Sequence, residues 1–468
     1  MGSSEYIVSR HRNGIVTGIS RPTRLLSMLT PYQILVGGYI FVTLAGALLL
    51  CLPVSTVNGR GQSFLDALFL SVSGISTSGL SVVDVGTYYT LFGQGVLLAI
   101  FQIGGIGYMT IIIFFVHVLG LRTSIVTEMV AKESLAGAGF RLLGRFFLAT
   151  MLFTLVFELT GGALLTLLYM DTMPFARAAY FGMFHSVSAF CTAGFGLHSD
   201  SLVRFAASPL MNATINIISL AGGIGFFVLF ELYLMARRIA RGMKPGKLSV
   251  HSRFVCSISG VIMLAGSAVI FASGPWEASI SVWQRIQASL FQAISASTTD
   301  GFNSIDIGRM GPAGLVTLMA LMFIGASPGS TGGGIKTTTI GAIAVFLYNQ
   351  VSGREDAVNL MRREIPTRSI LKAFGVFTWF IIIIAVDAVV MSETENGPFI
   401  NILFEIVSAM GNTGLSMGLT PSLSATGKIL LIITMFIGRV GPLTVGFFMA
   451  GEPKPLPYRY AEEDIFIG

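Results

Sequence analysis

The sequence predicts an all-α polytopic membrane protein: four parallel span–pore-loop–span repeats, with eight full transmembrane helices and four re-entrant half-helices around one central pore. Three observations predict it. Hydrophobic residues make up 53% of the 468 and charged residues 11%, with a mean hydropathy of +0.78, where soluble proteins carry roughly 25% charged residues. Long apolar runs alternate with short ones at a steady period. Lys and Arg collect in every second connection. Glycine, at 55 residues, is abundant in the way of membrane helices that pack closely or are interrupted.

In chain order, a polar, basic arm (1–28) lacks the short apolar region and cleavage site of a signal peptide. Long apolar runs follow near 32–52, 94–119, 143–169, 209–236, 251–272, 311–349, 370–391 and 425–450, long enough to cross ~30 Å of hydrocarbon. Between alternate pairs lie runs at 63–76, 176–190, 285–297 and 398–411, too short to cross and read as re-entrant. Each short run leads into a polar Gly strip: Thr77-Ser78-Gly79, Thr192-Ala193-Gly194, Thr299-Asp300-Gly301 and Asn412-Thr413-Gly414.

The four strip glycines are separated by 115, 107 and 113 residues, a period held over nearly the whole chain. The flanks rhyme as well. Ser71-Val72-Ser73-Gly74, Ser186-Val187-Ser188-Ala189, Ala293-Ile294-Ser295-Ala296 and Ile406-Val407-Ser408-Ala409 precede the strips. Ile103-Gly104-Gly105-Ile106-Gly107, Ala221-Gly222-Gly223-Ile224-Gly225 and Ile437-Gly438-Arg439-Val440-Gly441 lie in closing spans. The repeats are bounded at 29–120, 121–240, 241–352 and 353–450, with a tail at 451–468.

A half-span adds no crossing, so every repeat begins and ends on one side, which should be the basic, cytoplasmic side. Of 29 Lys and Arg, 21 fall in the arm, the inter-repeat loops and the tail. Six fall on the other side (Arg60, Arg177, Arg204, Arg285, Arg309 and Lys428), and Lys336 and Arg439 lie at membrane depth. The expected topology is multi-pass in the plasma membrane with both termini cytoplasmic. This asymmetry also accounts for the net charge of +6, so nucleic acid is not an expected partner and membrane lipid is. Cys51, Cys191 and Cys256 are far apart and suggest packing, not a disulfide framework or metal site. The five dispersed His residues suggest no enzyme.

Irregular backbone at membrane depth survives only where protein or water covers it. Four strips converging on a watery axis satisfy this. Their carbonyls can replace the hydration shell of a monovalent cation, and the C-terminal dipole end of each half-helix favours one.

With these strips, the sequence resembles the superfamily of potassium transporters that includes the KtrB, TrkH and plant HKT proteins, over essentially its whole length. The eight-span length is most similar to the KtrB group. The resemblance implies K⁺ translocation through filter glycines Gly79, Gly194, Gly301 and Gly414, a homodimer with one pore per protomer, and a cytoplasmic nucleotide-binding ring of the KtrA or TrkA kind. Na⁺ enters as a candidate activator or co-ion. A Na⁺-coupled or less selective K⁺/Na⁺ secondary transporter is the alternative.

In the third closing span, Gly325-Ala326-Ser327-Pro328-Gly329-Ser330-Thr331-Gly332-Gly333-Gly334-Ile335-Lys336 cannot form continuous helix, because Pro removes a donor and Gly is a poor helix former. It misses the phosphate-binding P-loop pattern by the intrusion of Ile335 between Gly334 and Lys336, so no nucleotide is expected on this chain. In the resembling family this stretch is an intramembrane loop obstructing the pore, and 326–339 is read as the gate. Lys336 fits the gate or a simple snorkelling role. Arg439 fits a clasp on loop carbonyls, a fixed charge opposing cations, or a structural partner of Glu405, Glu231 or Asp387.

The third strip departs from the family's Arg-Thr-Ala-Gly. Thr298 replaces the cation and Asp300 adds a carboxylate, expected to make the mouth more attractive to cations. Asp84, Asp200 and Asp306 follow their strips closely and fit either an acidic outer vestibule or ordinary loop acids.

Overall fold

A computed structural model describes residues 31–107, 140–277, 279–353, 358–361 and 363–450. The arm, the tail and the connection carrying Arg122 and Lys132 lie outside the described residues. The helices, in chain order, are α1 (Pro31–Leu50), α2 (Phe64–Ile75), α3 (Leu91–Ile106), α4 (Phe140–Tyr169), α5 (Phe175–Phe190), α6 (Pro209–Gly223), α7 (Phe226–Ala240) and α8 (Val250–Ser273). They continue as α9 (Val282–Thr298), α10 (Pro312–Ile324), α11 (Thr337–Val351), α12 (Thr367–Thr394), α13 (Phe399–Gly411), α14 (Ala425–Val440) and α15 (Pro442–Ala450).

Among the described residues, three helices are long and apolar enough to cross a membrane: Leu148–Tyr169, Val250–Ser273 and Thr367–Thr394. Their outer faces carry side chains such as Leu148, Leu167, Val261, Leu264, Leu371 and Val389, all more than 60% exposed. Water would penalise such a belt and lipid does not.

The short apolar runs form α2, α5, α9 and α13. Ser63 caps α2, Ser281 and Gln284 form a capping box on α9, and Pro174 and Pro398 open α5 and α13. The next helix starts under Thr90, Ser208 or Ser424, or at Gly311-Pro312. These helices pack in a closed cycle: α3 on α5, α6 on α9, α10 on α13, and α14 back on α2.

Glycines of three closing helices permit a second packing, of each helix on the half-helix of its own repeat. A methyl at Gly104 would sit 2.2 Å from the Ile75 carbonyl oxygen, at Gly222 2.0 Å from that of Phe190, and at Gly438 2.3 Å from that of Met410. Close backbone approach thus holds α3, α6 and α14 each on the end of a half-helix. Gly222→Ala should cost about 1–3 kcal/mol through overpacking and lower the melting temperature in detergent. Gly260→Ala, where a methyl meets nothing within 4 Å, should not.

One expectation changes. The runs 94–119, 209–236 and 425–450 read as continuous spans, yet helices stop at Gly107, Gly225 and Gly441, with φ of 88°, 99° and 88°. The described helix pair α6 and α7 is bent by 107°. The irregular part of the third closing span covers 325–336, so Thr337–Thr339, expected within the gate loop, form the first turn of α11.

Candidate functional site

The four half-helices end identically. Thr77, Thr192, Thr299 and Asn412 adopt φ of 55°, 50°, 58° and 50°. The next residue's N–H donates back five residues: Ser78 to the Ser73 carbonyl (2.7 Å), Ala193 to Ser188 (2.8 Å), Asp300 to Ser295 (2.9 Å) and Thr413 to Ser408 (2.9 Å). This is the Schellman ending, normally built on Gly. A β-branched Thr in that conformation is strained, and it occurs here three times.

Each strip then reaches its glycine, again with positive φ: 84° at Gly79, 66° at Gly194, 84° at Gly301 and 85° at Gly414. A methyl at Gly79 would lie 2.5 Å from the Ala193 carbonyl oxygen, at Gly194 2.5 Å from that of Asp300, at Gly301 2.0 Å from that of Thr413, and at Gly414 2.1 Å from that of Ser78. The cycle closes in the same order as the helix packing. Four strips, 107 to 115 residues apart in sequence, therefore abut head to neighbour in one ring, at the negative ends of four half-helices.

Loop 325–336 lies directly against this ring. The Thr77 hydroxyl donates to the Thr331 carbonyl (3.2 Å), the Thr192 and Thr331 hydroxyls are 3.1 Å apart, and the Gly333 N–H donates to the Thr299 hydroxyl (2.9 Å). A methyl at Gly333 would meet Asn412 Cβ at 2.7 Å. The residues leading each strip thus all touch the loop. The end of α6 holds it from the side: Thr331 N–H donates to the Gly222 carbonyl (3.1 Å) and Ser327 N–H to that of Gly223 (3.0 Å). Gly329 and Gly334 adopt positive φ, Ser330 Oγ donates to the Ser327 carbonyl (2.6 Å), and the Gly332 N–H donates to Ser330 Oγ (3.3 Å).

Lys336 Nζ turns back to the Gly332 and Gly333 carbonyls (2.7 and 3.2 Å). Arg439 donates to the Thr77 hydroxyl (3.0 Å), the Thr331 carbonyl and the Gly104 carbonyl. One guanidinium therefore bridges strip, loop and α3, a use of its planar fork that an ammonium cannot copy. The carboxylates weighed as its partners have other donors: Thr434 for Asp387, Ser249 for Glu231, and Ser416 and Thr420 for Glu405.

Asp300 does not take the place expected at the mouth. It is fully buried, and its Oδ2 accepts from the Ser219 hydroxyl on α6 (2.6 Å). Its Oδ1 has no hydrogen-bond partner among the described residues, as with Ser78 Oγ and Thr413 Oγ1 at the same position of other strips. The strip residues before the glycines give their carbonyls to the ring contacts and bury their side chains. Ser219→Ala removes the one donor to this buried carboxylate among the described residues, a cost of about 1–3 kcal/mol. Thermal melts should record a drop for Ser219→Ala, with little further loss when Asp300→Ala is added.

Each outer acid has a local partner. Asp84 and Asp306 accept from the Gly86 and Gly308 N–H groups (3.0 Å each), opening short helical turns, and Asp200 pairs with Arg204 at 2.6 Å. Sequence reasoning missed the serines four residues before each strip's lead residue, at 73, 188, 295 and 408. Their recurrence in the four rhyming tetrapeptides was the available signal.

Carbonyls gathered at four half-helix ends, inside an apolar helical bundle, define a membrane protein of the cation-transporting class. The TrkH family, described as a cation transport protein, matches residues 20–454, and the chain belongs to that family. It is 34% identical over 445 residues to the Ktr system potassium uptake protein B of Bacillus subtilis (strain 168), covering 94% of this chain and 97% of that protein. It is 31% identical to the potassium/sodium uptake protein NtpJ of Enterococcus hirae, covering 95% and 99%. The crystal structure of the potassium transporter TrkH from Vibrio parahaemolyticus shares the fold, with a TM-score of 0.69 at 19% identity over 90% of this chain and 84% of that one.

Proposed function

We propose that the chain is the K⁺-translocating subunit of a potassium uptake system. Four repeats at 29–120, 121–240, 241–352 and 353–450, with eight spans in all, surround one pore. The observation that carries this reading is the closed ring in which each strip glycine abuts the carbonyl of the next strip. Carbonyls so placed substitute for the hydration shell of K⁺, whose binding sites are the backbone oxygens of the strips. Loop 325–336, with Lys336 and Arg439, is the gate: it fills the space against the ring and must withdraw for ions to pass.

The subunit works in the plasma membrane with both termini cytoplasmic, as a homodimer under a nucleotide-binding ring of the KtrA or TrkA kind. The naming of a relative as a potassium/sodium uptake protein supports the second reading, in which Na⁺ is a co-ion or competes with K⁺.

Uptake of K⁺ and Na⁺ by cells lacking their own uptake systems tests both. The expected result is K⁺ uptake favoured over Na⁺. Reconstituted protein should carry more than roughly 10³ ions per second, above ordinary enzyme-like turnover. Slower flux strictly dependent on Na⁺ would favour the coupled transporter, and uptake of neither ion would reject both readings.

A further inference from the structure

The bend between α6 and α7 leaves α7 in an unusual setting. α6, at 15 residues, is too short to cross alone, and the bend of 107° turns α7 out of its line toward the headgroup layer. The exposed side chains of α7 and the turn after it suit that place. Tyr233, Leu234, Ile239 and Met243 are each more than 40% exposed, beside Arg237, Arg238, Arg241, Lys244 and Lys247. Apolar residues mixed with a cationic end are the composition of a helix lying in a headgroup layer.

These residues also enclose a cavity. A space of about 410 Å³ opens between the end of α7 and the start of α8, and Arg237, Arg238, Arg241 and Lys247 line it. Its one acid, Glu231, is committed to the start of α8, accepting from the Ser249 N–H (3.1 Å) and hydroxyl (2.9 Å). Among the described residues, none of the four cationic side chains has a hydrogen-bond or ion-pair partner. Four cations around one cavity, without a counter-charge among the described residues and flanked by exposed apolar side chains, match a phosphate that arrives attached to acyl chains.

The other end of α7 is joined to the loop. The Phe226 N–H, the first of the helix, donates to the Gly329 carbonyl (2.9 Å), and a methyl at Gly225 would lie 2.6 Å from the Pro328 carbonyl oxygen. A 15-residue helix therefore runs from the cavity to loop 325–336.

We propose that this cavity binds the phosphate of an anionic phospholipid of the cytoplasmic leaflet, and that its occupancy shifts the gate loop through α7. The regulatory half rests on the reading of loop 325–336 as the gate, and the binding half does not.

The test uses the full chain in two assays. In the first, association of fluorescent phosphatidylglycerol with purified protein in neutral detergent is compared between wild type and the triple variant Arg237→Gln, Arg238→Gln, Arg241→Gln. Binding should weaken by at least about tenfold in the triple variant and fall with added salt. The corresponding triple Lys variant should restore most of it. Melting temperatures should match across variants, since these exposed side chains have no partners among the described residues.

In the second assay, K⁺ flux is compared in phosphatidylcholine vesicles with and without 30% phosphatidylglycerol. Wild type should change by about threefold or more, and the triple Gln variant should not respond while keeping its flux in pure phosphatidylcholine. Equal lipid binding by wild type and the Gln variant would overturn the site, as would full displacement by millimolar inorganic phosphate, which would make it a soluble-anion pocket. Unchanged lipid binding with lost retention of a cytoplasmic partner would reassign the patch to protein. Lipid binding without any flux response overturns the coupling alone, and absence of K⁺ flux in all vesicles rejects the transport reading while leaving the binding result intact.

Discussion

Gly79→Ser and Gly301→Ser should each lower the preference for K⁺ over Na⁺ by about tenfold or more. The argument is geometric and does not depend on the hydroxyl. Position 79 sits at φ 84° with the Ala193 carbonyl oxygen 2.5 Å from where Cβ would go, and position 301 at φ 84° with the Thr413 oxygen 2.0 Å away. The left-handed conformation costs an L-residue roughly 1–2 kcal/mol, and relieving the contact moves the neighbouring carbonyl, a ligand in the proposed ring. A bias of about 1.4 kcal/mol between two ions is already tenfold. Gly37→Ser serves as control, since a methyl there meets nothing within 4 Å. Uptake of K⁺ and Na⁺ at matched expression gives the answer: unchanged discrimination in both filter variants would reject the ring as the selecting element.

Arg439→Ala should raise K⁺ flux by about tenfold or more. The guanidinium donates to Thr77 on a strip, to the Thr331 carbonyl on the loop and to the Gly104 carbonyl on α3. A hydrogen bond from a charged group contributes about 1.5–3 kcal/mol, so losing the one to the loop moves a closed-to-open equilibrium by about a decade or more. The same substitution removes a fixed positive charge, which would also raise flux. Arg439→Lys separates the two causes: it keeps the charge and loses the fork that reaches three acceptors at once. Flux near that of Arg439→Ala identifies the clasp as dominant, and flux near wild type identifies the charge. Deleting 330–334 should raise flux whichever cause dominates, and a deletion with unaltered flux in well-expressed protein would refute the gate.

Much of this site is legible in the sequence, and the residues explain why. The strip glycines announce themselves because a short apolar run, a polar residue and Gly recur at near-constant spacing, which local chemistry alone dictates. The irregular loop was equally plain, because Pro328 with Gly332, Gly333 and Gly334 forbids helix. Its edge was not, since Thr337–Thr339 suit a loop or a first helical turn equally well. The stops at Gly107, Gly225 and Gly441 were hidden because apolar residues continue beyond each glycine, and hydropathy cannot register a change of direction.

Partnerships across the chain were the least accessible. Thr77 and Thr331 are separated by 254 residues, Thr192 and Thr331 by 139, and Asp300 and Ser219 by 81. No periodicity links such pairs. Asp300 was therefore expected at the mouth from its charge alone, when its backbone belongs to the ring contacts and its carboxylate to α6.

The place occupied by Arg439 has a consequence for how such a ring is assembled. In the rhyming segments of the closing helices it corresponds to Gly105 and Gly223, glycines whose Cβ positions press on Cys191 and Thr298, each just before the strip of the following repeat. A ring made from four identical chains would have to carry Arg at all four places or at none, and four guanidiniums crowded on one axis would repel one another. A single polypeptide is free of that constraint. It can keep near-fourfold order where carbonyls must agree and break it at one position, so that a single guanidinium is added to the threonine contacts that hold the loop against the ring.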